Sequence, residues 1–263
     1  MGRIADILAE TRTAERGALM PFLTAGYPHL EATERILSGI EPAWAHIIEL
    51  GIPFSDPIAD GPIIAASMHE ALLAGIRPGD VFDLVRRIRS DVSQGLVAMV
   101  SNSIVERTGT IPFIEAAAAA GFDGLIIPDI DLDRVDAILP TIDAHDLAFS
   151  LLVAPTTSDQ RLESILPRCR GFVYLLARAG LTGVRSELPD ISPQVQRIRQ
   201  RTNLPIAVGF GISTAEHVST VLASADAAIV GSAIVRSMGE SDDPAQAALE
   251  TIKDLAGGRA AGA

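Results

Sequence analysis

The sequence predicts an α/β protein built as a single (β/α)8 barrel with an extra helix at its N-terminus. Three observations carry this. Eight short apolar runs recur along the chain, segments with 3.6-residue apolar spacing separate them, and 263 residues is the length of one such barrel. A doubly wound open sheet is the weaker alternative, because no GxGxxG follows the first strand.

The elements follow in order. Met1 to Glu15 is amphipathic and reads as the extra helix closing the barrel bottom. The expected strands are Ala18 to Thr24, His46 to Leu50, Gly95 to Val100, Gly124 to Pro128, Ala148 to Val153, Phe172 to Leu176, Pro205 to Val208 and Ala227 to Val230. Helical spacing marks Leu30 to Ile40, Val81 to Ser90, Pro112 to Ala120, Arg134 to His145 and Thr214 to Ala223, and Gly257 to Ala263 reads as a frayed tail. With no linker or low-complexity tract, residues 1–263 are expected to form one domain.

Composition narrows the function. Hydrophobic residues make up 48% and aromatics only 4%, which predicts an aliphatic core. A net charge of −12 disfavours nucleic acid and anionic lipid as partners, so an anionic ligand would need local donors such as backbone N–H groups. The lone cysteine, Cys169, excludes an intrachain disulfide and a cysteine metal cluster, and the histidines show no metal-ligand spacing. No apolar run approaches the ~18 residues of a membrane span, and the N-terminal segment lacks the pattern of a signal peptide, so a cytoplasmic protein is expected.

In a barrel the chemistry sits where strands end and βα loops begin. Glu49 stands at the top of an otherwise apolar strand, where burial would raise a carboxyl pKa and suit it to proton transfer. A strand-end Glu paired with a Lys or Arg is the competing reading. The Pro/Gly-punctuated loop that follows carries Asp56 and Asp60; for Asp56 a turn role is favoured, while Asp60 could meet Glu49 across a ligand. Three small-residue sites come late and at strand ends: Leu181-Thr182-Gly183, Gly209-Phe210-Gly211-Ile212-Ser213 and Gly231-Ser232. Each alone could be a tight turn. Together, in an acidic chain without a Lys/Arg cluster there, they read as a neutral phosphate cradle helped by a helix N-terminus.

The run from Glu49 through Leu50-Gly-Ile-Pro-Phe-Ser-Asp-Pro57 to Ala59-Asp-Gly-Pro62 strongly resembles the signature of the tryptophan synthase α subunit family. The likeness continues through Pro21 to Pro28, Gly124 to Asp129, Val153 to Thr157, Tyr174 to Gly183, Val208 to Ser213 and Gly231 to Val235, and so covers essentially the full chain. It implies retro-aldol cleavage of indole-3-glycerol phosphate to indole and glyceraldehyde 3-phosphate, with Glu49 and Asp60 catalytic. It implies substrate contacts at Phe22, Tyr174, Thr182, Gly183, Phe210, Gly211, Gly231 and Ser232, with Phe22 and Tyr174 beside the indole ring. The resemblance also implies no cofactor or metal in this chain. The partner it implies is a β subunit carrying pyridoxal phosphate, in an αββα assembly docked on the loop with Pro53, Asp56, Pro57 and Asp60.

The chain departs from the pattern at Val100, within a stretch where the family has a Tyr of the pocket wall, at Pro42 to His46, and at Ile130-Asp131; Asp131 and Glu106 bear on the partner contact. Arg178 to Pro189 reads as a mobile lid. Related phosphate-binding barrels, of the indole-glycerol phosphate synthase or phosphoribosylanthranilate isomerase type, would need a strand-end Lys or a Cys/Asp pair that the strand ends lack. Two neighbouring functions share the same fold: a stand-alone lyase, and a non-catalytic paralogue that only binds a β subunit. Intact Glu49 and Asp60 argue against the paralogue.

Overall fold

The computed structural model describes residues 2–14, 16–55, 61–177, 189–209 and 211–259. Nine strands form one all-parallel sheet: β1 Ala18–Thr24, β2 Ile47–Gly51, β3 Gly95–Met99, β4 Gly124–Ile126, β5 Ala148–Ser150, β6 Leu152–Val153, β7 Val173–Leu176, β8 Ile206–Gly209 and β9 Ala227–Val230. Their lateral order is β5-β4-β3-β2-β1-β9-β8-β7-β6. The two ends, β5 and β6, are pieces of one chain stretch separated by Leu151 alone, so the sheet closes into an eight-stranded barrel. The expected strands all form, with ends shifted by a residue or two and the fifth split where its pairing passes from β4 to β7.

Among the described residues the helices are α1 Arg3–Thr13, α2 Leu30–Gly39, α3 Pro62–Leu73, α4 Pro78–Ile88, α5 Asn102–Thr108, α6 Thr110–Ala120, α7 Leu132–Ala144, α8 Asp159–Ile165, α9 Ser192–Arg199, α10 Ala215–Leu222, α11 Ser232–Gly239 and α12 Pro244–Ala256. Local chemistry sets many of their starts: Ser101, Ser158, Thr214 and Asp243 each accept a first-turn N–H with the side chain. α1 lies under the barrel with Ile4 and Leu8 fully buried, and the δ-methyl of Ile4 fills the space a side chain on Gly95 would need.

Two matching clamps stitch the barrel bottom. Asp123, just before β4, accepts the N–H of Leu96 on β3 and an Nη2–H of Arg89, both at 2.8 Å. Asp226, just before β9, accepts the N–H of Ile206 on β8 at 2.8 Å and an Nη2–H of Arg199 at 3.1 Å. Burial pushes the Asp123 carboxyl up despite these donors, because desolvation outweighs them. The clamps stand four barrel strands apart, one in each half.

The end of the described chain is docked rather than frayed, which corrects the expectation for residues 257–259. Gly257–Arg259 forms a 3-10 turn, Gly258 is buried, and Arg259 Nη1 donates to the carbonyls of Ala43 and Trp44. Its Nη2 lies 3.1 Å from His46 Nε2; since a guanidinium can only donate, that nitrogen accepts. Burial, then the Arg259 and Arg16 charges, hold the His46 pKa down to about 4.

Candidate active site

Strand register places the interior side chains. Phe22 is level with Glu49, Glu49 with Val97, Val97 with Gly124 and Gly124 with Ala148, and level neighbours in a sheet share a face. Because such a barrel has a shear of about eight, the level row shifts by about one residue per strand relative to the barrel axis, and interior side chains stack in layers of four from alternate strands. Three layers follow. Met20, Val97, Ser150 and Ala207 form the middle of the barrel; Glu49, Ile126, Tyr174 and Ile229 lie above them; Phe22, Met99, Leu152 and Gly209 lie above those, at the C-terminal mouth.

Close approaches agree with this stacking. A Cβ built on Gly209 would stand 2.5 Å from Tyr174 Oη, in the layer beneath. One built on Gly51 would stand 2.6 Å from Phe22 Cζ, and one on Gly231 3.1 Å from Phe22 Cδ1. Missing side chains at three strand ends thus make room for the two aromatic rings.

Glu49 has 0% exposure, and Phe22 and Tyr174 have 5% each. The mouth therefore brings a fully buried carboxyl into the layer of one aromatic ring and directly beneath the other. Met99, Ile126 and Leu152 complete its apolar wall, three residues that the sequence does not single out as site residues. Only period-two alternation along β3, β4 and the fifth barrel strand marks them. Val100 is fully buried and has the parity opposite to Met99, so the interior wall on this strand is Met99.

Gly211 and Gly231 follow neighbouring strands, β8 and β9. Gly211 follows β8 with φ +84°, a left-handed conformation that favours glycine. Gly231 precedes α11, whose first internal bond runs from the N–H of Val235 to the carbonyl of Gly231. The N–H groups of Ser232, Ala233 and Ile234 consequently have no acceptor within the helix, and the positive end of its dipole faces the rim. Asp60, Thr182, Gly183 and Phe210 lie outside the described residues, as do Asp56, Pro57 and nearly all of the expected lid.

A polar cluster that sequence reasoning missed ties two mouth loops together. Asp129, after β4, accepts from Ser101 Oγ at 2.8 Å and from the Asn102 N–H at 2.7 Å. Asn102 Nδ2 donates to Glu106 at 2.8 Å, and Glu106 pairs with Arg134 of α7. The charge of Glu106 is thereby neutralised locally. Asp131 is the N-cap residue of α7, without a side-chain capping bond.

A closed parallel barrel with a buried carboxyl among aromatic rings, beside glycines and a helix N-terminus at its last strands, defines the class of (β/α)8 barrel enzymes that work at the C-terminal mouth. The sequence model of the tryptophan synthase alpha chain family matches residues 8–262, and the chain belongs to that family. It is 44% identical over 247 residues to the tryptophan synthase alpha chain of Alkalilimnicola ehrlichii, covering 93% of this chain and 90% of the relative. The alpha chain of Methanosarcina barkeri is 40% identical over 97% of both chains. Among solved structures, the alpha subunit of tryptophan synthase from Legionella pneumophila superposes with a TM-score of 0.90 at 31% identity over 99% of each chain. A chain of the Mycobacterium tuberculosis tryptophan synthase gives 0.89 at 32% identity over 98% of each.

Proposed function

We propose that this chain is the α subunit of a tryptophan synthase and cleaves indole-3-glycerol phosphate to indole and glyceraldehyde 3-phosphate. The observation that carries the reading is Glu49, a carboxyl with no solvent exposure on the interior face of the mouth. A carboxyl at that position, at the end of an otherwise apolar strand, can pass a proton to and from a ring held beside it.

The reaction needs three events. Glu49 delivers a proton to C3 of the indole, which turns the ring into an indoleninium cation. Asp60 remains ionised and stabilises the positive ring nitrogen. The side-chain hydroxyl then loses its proton to the Glu49 carboxylate as the carbon–carbon bond breaks; its electron pair returns to the ring, and the aldehyde forms. Phe22 and Tyr174 hold the ring, while Gly183, Gly211, Gly231 and Ser232, with Thr182 and Phe210 beside them, offer backbone N–H groups to the phosphate. Binding energy at the phosphate orients the reacting carbon at the other end.

These steps require acid–base groups only, so no cofactor acts in this chain; pyridoxal phosphate belongs to the β partner of the proposed αββα assembly, and the cytoplasm is the proposed compartment. Glu106, on α5, and Asp131, at the N-cap of α7, would tune that contact.

The test incubates the purified chain with indole-3-glycerol phosphate, alone and with the β subunit from the same source, and follows indole release and co-elution. Cleavage that accelerates in a stable complex supports the reading. Fast cleavage without a complex would make the chain a stand-alone lyase, and a complex without cleavage a non-catalytic paralogue.

A further inference from the structure

Ser150 is the polar member of the middle layer, which it shares with Met20, Val97 and Ala207. It has 0% exposure, and among the described residues its hydroxyl has no hydrogen-bond partner. A buried hydroxyl left this way costs about 1–3 kcal/mol, whereas alanine would fill nearly the same space without that cost. The group lies one layer below Glu49 and Tyr174, on the strand between those of Ile126 and Tyr174. It therefore forms part of the floor of the ring pocket, on the side away from the rim where Gly211 and Ser232 stand.

We infer that Ser150 is a specificity-determining residue: its hydroxyl is the contact for a hydrogen-bonding substituent, a hydroxyl or amino group, on the buried benzo edge of the substrate ring. The inference rests on the reading of this mouth as an indole-ring site. With the phosphate held at the rim, the far edge of the ring is the part that reaches the floor. An unsubstituted ring presents only C–H there and leaves Ser150 unsatisfied, while a ring with a polar group at that edge satisfies it. A dry, partnerless hydroxyl discriminates strongly, because the ligand group it meets has also left water.

The test compares kcat/KM for indole-3-glycerol phosphate and for its 5-hydroxy and 6-hydroxy derivatives in wild type, Ser150→Ala and Ser150→Thr. Ser150→Ala should lower the hydroxylated-to-parent ratio for at least one derivative by roughly 3- to 10-fold, the worth of one buried hydrogen bond. Ser150→Thr, which keeps the hydroxyl, should retain the wild-type ratio. Ratios unchanged by Ser150→Ala for both derivatives would overturn the inference. Thermal melting of the unliganded proteins supplies a second readout. Ser150→Ala should melt at or above wild type, because it deletes an unsatisfied group; a lower midpoint would show the hydroxyl already engaged in the fold and overturn the inference too. Failure of the wild type to release indole from the parent would instead defeat the underlying reading, and this inference with it.

Discussion

Gly209→Ala probes the packing of the mouth through one added methyl. The new Cβ would stand 2.5 Å from Tyr174 Oη, 2.9 Å from Cε1 and 3.0 Å from Cζ. Ordinary contact requires the ring to retreat by roughly 0.5–1 Å, and overpacking of this kind typically costs about 1–3 kcal/mol. Tyr174 cannot swing into solvent cheaply, because it is 5% exposed and its backbone is paired on both sides, to Leu152 and Ala207. Urea denaturation should show the loss as a lower midpoint at unchanged slope. Gly79→Ala is the control: nothing lies within 4 Å of its Cβ position, and it sits in the first turn of α4, so it should leave stability unchanged or raise it by up to about 1 kcal/mol. Since the methyl also displaces a ring proposed to hold the indole, Gly209→Ala should raise KM for indole-3-glycerol phosphate. Wild-type stability together with wild-type KM in Gly209→Ala would refute the layer assignment.

Three further outcomes are expected. The His46 pKa of about 4 lies below its ordinary 6.5, so the folded state binds fewer protons than the unfolded chain; this contribution is complete above pH 6.5 and lost as pH falls towards 4, and His46→Gln should flatten the fall in urea midpoint over that window. Asp226→Ala strands the Ile206 N–H and one Arg199 contact and should cost about 1–3 kcal/mol in denaturant unfolding, with little effect on KM. Gly211→Val forces a branched side chain into φ +84° at the proposed phosphate rim; calorimetry should show affinity for indole-3-glycerol phosphate falling at least 10-fold while free indole changes much less, and equal losses would mean general damage to the barrel.

Much of this is legible in the sequence for identifiable reasons. Strands such as Ala18–Thr24 are buried on both faces of a parallel barrel and read as continuous apolar runs, and β1 and β9 match their expected bounds residue for residue. Glu49 stands out because it is a charged residue inside such a run. The layer mates are harder to see. Met99, Ile126 and Ser150 acquire their roles only through cross-strand register and barrel stagger, long-range properties that no local window contains. The Asp129 cluster is hidden for a different reason: Asp after Ile-Pro looks like turn chemistry, and its partners Ser101 and Asn102 lie 28 and 27 residues away. The docked end at Gly257–Arg259 escapes a local reading because a Gly-rich tail gives no sign of Arg259 reaching the carbonyls of Ala43 and Trp44, 216 and 215 residues back.

The central claim, that the buried carboxyl at the barrel mouth moves the protons of indole-3-glycerol phosphate cleavage, is tested most directly by Glu49→Gln, which keeps shape and removes the titrating group. Indole release should fall by roughly 10²-fold or more, the usual worth of a positioned acid–base group, while substrate affinity measured by calorimetry stays within about 3-fold. Turnover near wild type in the folded variant would contradict the account.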